Sequence, residues 1–329
     1  HYRELKVHLK ETTALARVVT VTFRIYNDGV GFRYEFPEQA NMATTRIADE
    51  LTEFAFAQDG TAWWKPAFLW NREEYLYNKT PLSAVSTAAT PITMKLADGT
   101  HVALHEAAQV DNSGMAVTRT EGNTLRANLT PGAGQAKVTK KGAWTTPWRT
   151  LIIANDAAGI YHSHLMLNLN EPNKLGDMSW FKPGKFAGVW WNMIKGEWSW
   201  ARGPRHGATN ANVKRYIDFA AANGIPHLLV EGWNVGWDGD WLLSAYARKK
   251  GVRLVGHHET GGAVSHYENQ LDRSFAFAAK YGMMVVKTGY VTDAAQLERV
   301  DADGTRYREW LDGQWMTNHF IRVAETAYK

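Results

Sequence analysis

The sequence predicts a β sandwich followed by an α/β region with a parallel sheet. Three observations carry that expectation. Residues 1 to about 180 alternate apolar and polar side chains between turn signals and have almost no helical period. Near Lys185 the rhythm changes to short continuous apolar runs separated by amphipathic stretches. No glycine-rich phosphate loop follows the first of those runs, which disfavours a dinucleotide-binding fold.

In the first half, ARVVTVTFRIYNDGVGFRYEFP breaks at Asn27-Asp28-Gly29, a hairpin signal. TPITMKLADGTHVALHEAA repeats the device at Asp98-Gly99. LTPGAGQAKVTKKGAW and TPWRTLIIANDAAGIYHSHLML continue the β pattern to about residue 180.

In the second half, FAGVWW reads as a strand. Thr209 or Asn210 can cap the segment ANVKRYIDFAAANG, whose Val213, Tyr216, Ile217 and Ala220 share one helical face before Gly224 ends it. IPHLLVEGW is a buried strand, LLSAYARKKG a helix closed by Gly251, and VRLVGHHE a third strand. Ser265 and Glu268 fit a capping box for the helix HYENQLDRSFAFAAKYG. MMVVKTGY is a fourth strand, and REWLDGQWMTNHFIRVAETAYK is expected to be helical to the end. Strands and helices alternating this way make right-handed parallel crossovers, in either an open doubly wound sheet or a (βα)8 barrel. Four such units are half a barrel and would leave two sheet edges unpaired, so the chain is expected to be part of something longer.

Composition narrows the function classes. The formal net charge is +4 with scattered Lys and Arg, which argues against nucleic-acid binding. No apolar run reaches the ~18 residues of a membrane helix. The absence of cysteine excludes disulfides and thiolate metal sites. Fifteen tryptophans suit sugar faces, although Trp also serves simply to fill cores. HYRELKVHLK has no basic-then-apolar leader pattern, so the chain starts mature or within a longer protein.

In a barrel the chemistry sits at the C-terminal strand ends. Those ends carry Trp190, Trp191 and Asn192; Glu231, Trp233 and Asn234; His257, His258 and Glu259; and Lys287 with Gly289. Alternation places His257 and Glu259 on one face and His258 on the other. Each residue has a structural alternative. Glu231 can hold a loop amide, His257 can be a satisfied core histidine, and Lys287 can pair with a neighbouring strand's carboxylate. Together they suit a sugar pocket and glycoside hydrolysis, against another carboxylate-using enzyme or a sugar-binding module.

YNDGVGFRYEFP, TPWRTLIIA, GVWW, NVKRYIDFAAANG, VEGWN, HHET and VKTGYV, in that order from about residue 20 onward, resemble glycoside hydrolase family 97, and most of all its inverting α-glucosidase branch. The resemblance implies an N-terminal β-super-sandwich over residues 1–180. The first four units of a catalytic (βα)8 TIM barrel would follow over 181–329, the rest of the barrel lying outside the chain. It implies Glu259 as general base, His257, Glu231 and Lys287 as sugar-contacting groups, and Trp190 or Trp191 lining the pocket. Glu74, in REEYLYNKTPLS, matches a carboxylate lent to a Ca2+ site. Gly289 stands where retaining members of the family carry an aspartate nucleophile. The implied activity is calcium-dependent, exo-acting, inverting hydrolysis of α-glucosides and malto-oligosaccharides in the periplasm. The general acid would lie outside this chain, which alone is expected to be inactive. A retaining α-galactosidase-like member and a non-catalytic sugar-binding relative are the alternatives. Oligomeric state stays open.

Overall fold

The computed structural model describes residues 1–69, 75–134, 136–231, 242–260, 262–290 and 297–329, with Leu242 and Glu259 described by their backbone. The chain forms two compact units. One is residues 1–173 with 292–322, and the other is 174–291 with 323–329. The boundary expected near residue 180 therefore lies at 173, and the first unit recruits a later segment.

In the first unit, the described residues form a nine-stranded sheet and a four-stranded sheet. Both expected hairpins are present. Val18–Tyr26 pairs with Gly29–Phe36 through a two-residue turn, and Ile92–Leu96 pairs with His101–Ala107 across Asp98-Gly99. Gly99 has φ +91°, and Asp98 Oδ1 accepts from the Thr100 amide at 2.9 Å, which is the local reason that Asp-Gly turns. Alternation sends Ala62 and Trp64, Ile92 and Met94, and Val102 and Leu104 inward from the large sheet. Val117, Leu125, Ala127 and Leu129 meet them from the smaller sheet.

TPWRTLIIANDAAGIYHSHLML is strand only over Trp148–Ala154; helices Ala157–His162 and Leu165–Leu169 follow. These helices are too short to show a period. Asp156 caps the first by accepting from the Gly159 amide. Leu165 and Leu169 cover the outer face of the large sheet with Ala103, Ala107, Trp148 and Ile152. They seat against bare backbone, since a Cβ at Gly31 would lie 2.4 Å from Leu169.

The expected C-terminal helix is also shortened. Leu297–Val300 and Arg306–Glu309 form an antiparallel hairpin, and the helix runs only over Gln314–Tyr328. The turn signal is Asp303-Gly304, with Gly304 at φ +83°. The helix start is tied to the first unit. Gln314 Nε2 donates to Asp111 Oδ1 at 2.9 Å and to the Thr139 carbonyl at 2.9 Å, and Thr317 donates to the Asn112 carbonyl at 2.8 Å.

Burial holds the His105 imidazole well below its usual 6.5, at about 4. Between those values the unfolded chain binds a proton that the native state refuses. Stability is therefore full above 6.5 and is lost as the pH falls toward 4, by about 3 kcal/mol for this shift. Urea unfolding of wild type and His105→Gln across that range should show a flatter acid limb in the variant. Equal slopes would remove His105 from the account.

The second unit is a parallel sheet of Phe186–Gly188, His227–Leu229, Arg253–Glu259 and Val286–Gly289, in sequence order. No strand order reversal occurs among these four, unlike a doubly wound sheet. Leu228, Val230, Val252 and Leu254 face a helical layer that contributes Val213, Ile217, Ala220, Leu243, Ala247 and Ala278. Thr209 caps Asn210–Ala222 by accepting from the Asn212 amide, and Gly224 beyond its end has φ +63°. Ser265 is not the N-cap that the expected capping box requires, since Ala263 holds that position. Ser265 and Glu268 both lie inside the short helix Val264–Glu268, and Leu271–Lys280 is a separate helix.

Candidate active site

The strand ends of the second unit bring three of the sequence-derived residues into one row. His227–Leu229 pairs in parallel with Arg253–Val255, so two residues further on Glu231 comes level with His257. His257 pairs in register with Lys287. The row opposes the helical layer because Leu228, Val230 and Leu254, of the other parity, pack against the helices. Lys287 Nζ reaches over the middle strand to Glu231 Oε1 at 2.5 Å. Glu231 is largely buried and Lys287 is about half exposed, at 13% and 48% of their side-chain surfaces. The carboxylate that Lys287 finds belongs not to the neighbouring strand, as its structural alternative had it, but to the strand beyond, across His257.

His257 sits between these charges. Its Nε2 is buried and has no hydrogen-bond partner among the described residues. Burial lowers its pKa, Glu231 opposes that shift, and Lys287 adds to it, so the ring is neutral at pH 7. A neutral imidazole with an uncommitted nitrogen can donate to or accept from a hydroxyl. The buried nitrogen without a partner is the strongest mark of a ligand position in the row.

His258 turns the other way, as alternation requires. Its ring stacks on Tyr267 at 3.7 Å and 17°, and Tyr267 OH lies 3.3 Å from Thr288 Oγ1. His258 therefore belongs to the packing beneath the site.

Glu259 is described by its backbone, which pairs in register with Gly289 at the tip of the fourth strand. The Gly289 carbonyl accepts from both the amide and the hydroxyl of Thr260, each at 3.1 Å. This lock between the third and fourth strand tips was not anticipated from sequence, although the Thr after His-His-Glu was its visible trace. Gly289 is not among the glycines with positive φ, so no tight bend requires a glycine there.

The tryptophans are placed differently from expectation. The strand of FAGVWW ends at Gly188, and Trp190–Ile194 is a short helix. The Trp190 indole folds over Gly188, where a Cβ would lie 2.3 Å from Nε1, and packs on the helical core. Trp191 is exposed and meets Trp190 edge-on at 5.4 Å. Glu74, Trp233 and Asn234 lie outside the described residues. Among the described residues no three His, Asp or Glu side chains converge as a metal site. None of their helices is long and apolar enough to cross a membrane.

Comparison with known proteins agrees with this layout. The family model for the glycosyl-hydrolase 97 N-terminal domain matches residues 1–172, and that for glycoside hydrolase 97 matches residues 190–329. A glycoside hydrolase family 97 enzyme from Pseudoalteromonas sp. strain K8, solved with acarbose, is 43% identical with a TM-score of 0.94 over 99% of this chain and 52% of its own. A variant of that enzyme solved with panose matches equally. A retaining alpha-galactosidase of Bacteroides thetaiotaomicron is 27% identical over 78% of this chain and 44% of its own length. The chain thus spans about half the length of the relatives it matches.

Proposed function

Because this chain belongs to glycoside hydrolase family 97, we propose that the complete protein is an exo-acting α-glucosidase that cleaves malto-oligosaccharides with inversion. The four parallel strands are, on this reading, the first half of its (βα)8 barrel. The observation that carries the proposal is the register of Glu259 with Gly289. Glu259 supplies one carboxylate at the strand tips, and the adjacent tip has no side chain that could attack an anomeric carbon.

In the proposed reaction Glu259 takes a proton from water, and the water attacks the anomeric carbon from the face opposite the leaving oxygen. A carboxylic acid from a part of the protein beyond residue 329 protonates that oxygen. Inversion requires the two carboxyl groups to stand about 6.5–9.5 Å apart so that the water fits between them. Neutral His257, with the Lys287–Glu231 pair beside it, grips sugar hydroxyls and fixes the ring against the water.

The similarity to an enzyme bound to acarbose and panose favours glucose-containing substrates. The retaining alpha-galactosidase relative stands for the alternative, which calls for a carboxylate where Gly289 stands. Proton NMR of the first-formed product decides between them. Inversion releases β-glucose from maltose before mutarotation; α-glucose as the first product would overturn the reading.

Calcium and a periplasmic location belong to the same proposal through family likeness. Glu74 is the residue of this chain that would bind the ion. Treating the complete protein with EDTA is expected to abolish turnover and added Ca2+ to restore it. Full activity in a metal-free preparation would remove calcium from the proposal.

A further inference from the structure

The first unit holds a cavity of about 350 Å3 that the strand-end row does not use. That volume lies at the low end of the range for small-ligand sites, about 300–1,000 Å3. Stretches far apart in the chain wall it, among them Lys65 and Phe68, Thr90, His105, and Trp310 with Asp312.

One wall is aromatic. Phe68 and Trp310 meet edge to face at 5.8 Å and 74°, forming a corner of two ring surfaces. Phe68 holds φ +60°, a left-handed backbone that a bulky residue seldom adopts. Such strain survives only where the surroundings impose it, and it concentrates at ligand sites.

The other wall is polar, and it includes one buried donor, Gln109 Nε2, without a partner among the described residues. The Thr90 hydroxyl donates to the Met115 carbonyl at 2.7 Å, so its oxygen accepts from His105 Nδ1 at 3.0 Å. That arrangement fixes the tautomer and leaves Nε2 as a bare acceptor. His105 stays neutral at pH 7, since burial keeps its pKa at about 4. Asp312 is open to solvent yet ringed by protein; burial pushes its carboxyl up, and Lys65 opposes that shift. Its side chain makes no hydrogen bond or ion pair among the described residues. Glu106, which also lines the cavity, is committed to Arg149 and to the Met115 amide.

These features select a ligand class. Asp312 and His105 Nε2 call for a ligand rich in hydroxyl donors. Lys65 sets a positive charge beside Asp312, which disfavours both amines and phosphates and favours a neutral molecule. The aromatic corner calls for a flat apolar C–H face. We propose that this cavity is a second carbohydrate site. It takes one neutral hexopyranose unit, whose hydroxyls donate to Asp312 and His105 Nε2 and whose C–H face lies against Phe68 and Trp310. The proposal does not depend on the hydrolytic reading, because every residue it uses belongs to the first unit.

The test is calorimetric titration of maltose into the complete protein carrying Glu259→Gln, which prevents consumption of the probe. Two binding sites per chain are expected. Adding Asp312→Asn, which keeps the side-chain volume, should weaken one of them at least about tenfold, the scale of a lost charged hydrogen bond. Trp310→Ala should do the same, and neither change should alter kcat in the otherwise unmodified enzyme. A single site sensitive to Asp312→Asn would also support the proposal. Binding indifferent to both substitutions would overturn it, as would a maltose-soaked crystal of the complete protein with this cavity empty. Sugar bound here, in a protein whose unsubstituted form shows no turnover, would sink the hydrolase reading and leave this one standing.

Discussion

Glu259→Gln in the complete protein should lower kcat by at least about a hundredfold, within the range of general acid–base catalysis. Glutamine keeps the size of the side chain and its capacity to hold a water, but it cannot take the water's proton. Substrate affinity should therefore survive while the chemical step is lost, and KM should move far less than kcat. That split separates a base from a merely structural carboxylate, whose removal would disturb affinity and stability together. It also separates the enzyme from a sugar-binding relative, which has no turnover to lose. A variant with near-normal kcat would take Glu259 out of the mechanism, and with it the meaning given to its register with Gly289.

Arg149→Ala should cost about 3–5 kcal/mol of folding stability, the usual consequence of removing one partner from a buried charge cluster. Arg149 is fully buried. Its Nε and Nη2 donate to the two Glu50 oxygens at 2.9 and 2.5 Å, and Nη1 donates to Glu106 Oε2 at 2.5 Å. Glu106 lies directly opposite it on the neighbouring strand. Burial opposes the guanidinium charge, but the two carboxylates outweigh that and raise its pKa. Burial likewise pushes the Glu106 carboxyl up while Arg149 pulls it down, so removing the arginine leaves Glu106 with that penalty opposed only by its bond from the Met115 amide. Urea unfolding measures the loss. Adding Glu106→Gln to Arg149→Ala should recover part of it, since one uncompensated charge disappears. A loss below about 1 kcal/mol, or no recovery in the double variant, would show that solvent reaches the cluster.

The parts of the fold that were legible in the sequence are those set by local chemistry. Asn27-Asp28-Gly29 and Asp98-Gly99 turn where they should because Asn, Asp and Gly tolerate the turn backbone, and Asp98 also accepts from the Thr100 amide. Thr209 caps its helix for the same reason. At the strand ends the period of two was enough to separate His257 from His258, and the stack of His258 on Tyr267 accords with that assignment. What escaped was short or non-local. The helices Ala157–His162 and Leu165–Leu169 are too brief for a period, and their reason for being lies in the glycines beneath them. The Leu297–Glu309 hairpin carried a readable Asp303-Gly304 signal, but helical spacing after Arg308 masked it. Lys65, His105 and Asp312 meet through tertiary folding alone, and no spacing along the chain announces their cavity.

The tie of Gln314 and Thr317 to Asp111, Asn112 and Thr139 sets an order of events during synthesis. The first unit uses residues 1–173 and then waits for 292–322. At roughly 5–20 residues per second, that wait lasts on the order of ten seconds or more on the ribosome. Through that interval the carbonyls of Asp111, Asn112 and Thr139 are without their helix, and the entire sheet of the second unit emerges first. A gene cut after residue 173 would make that unfinished state permanent.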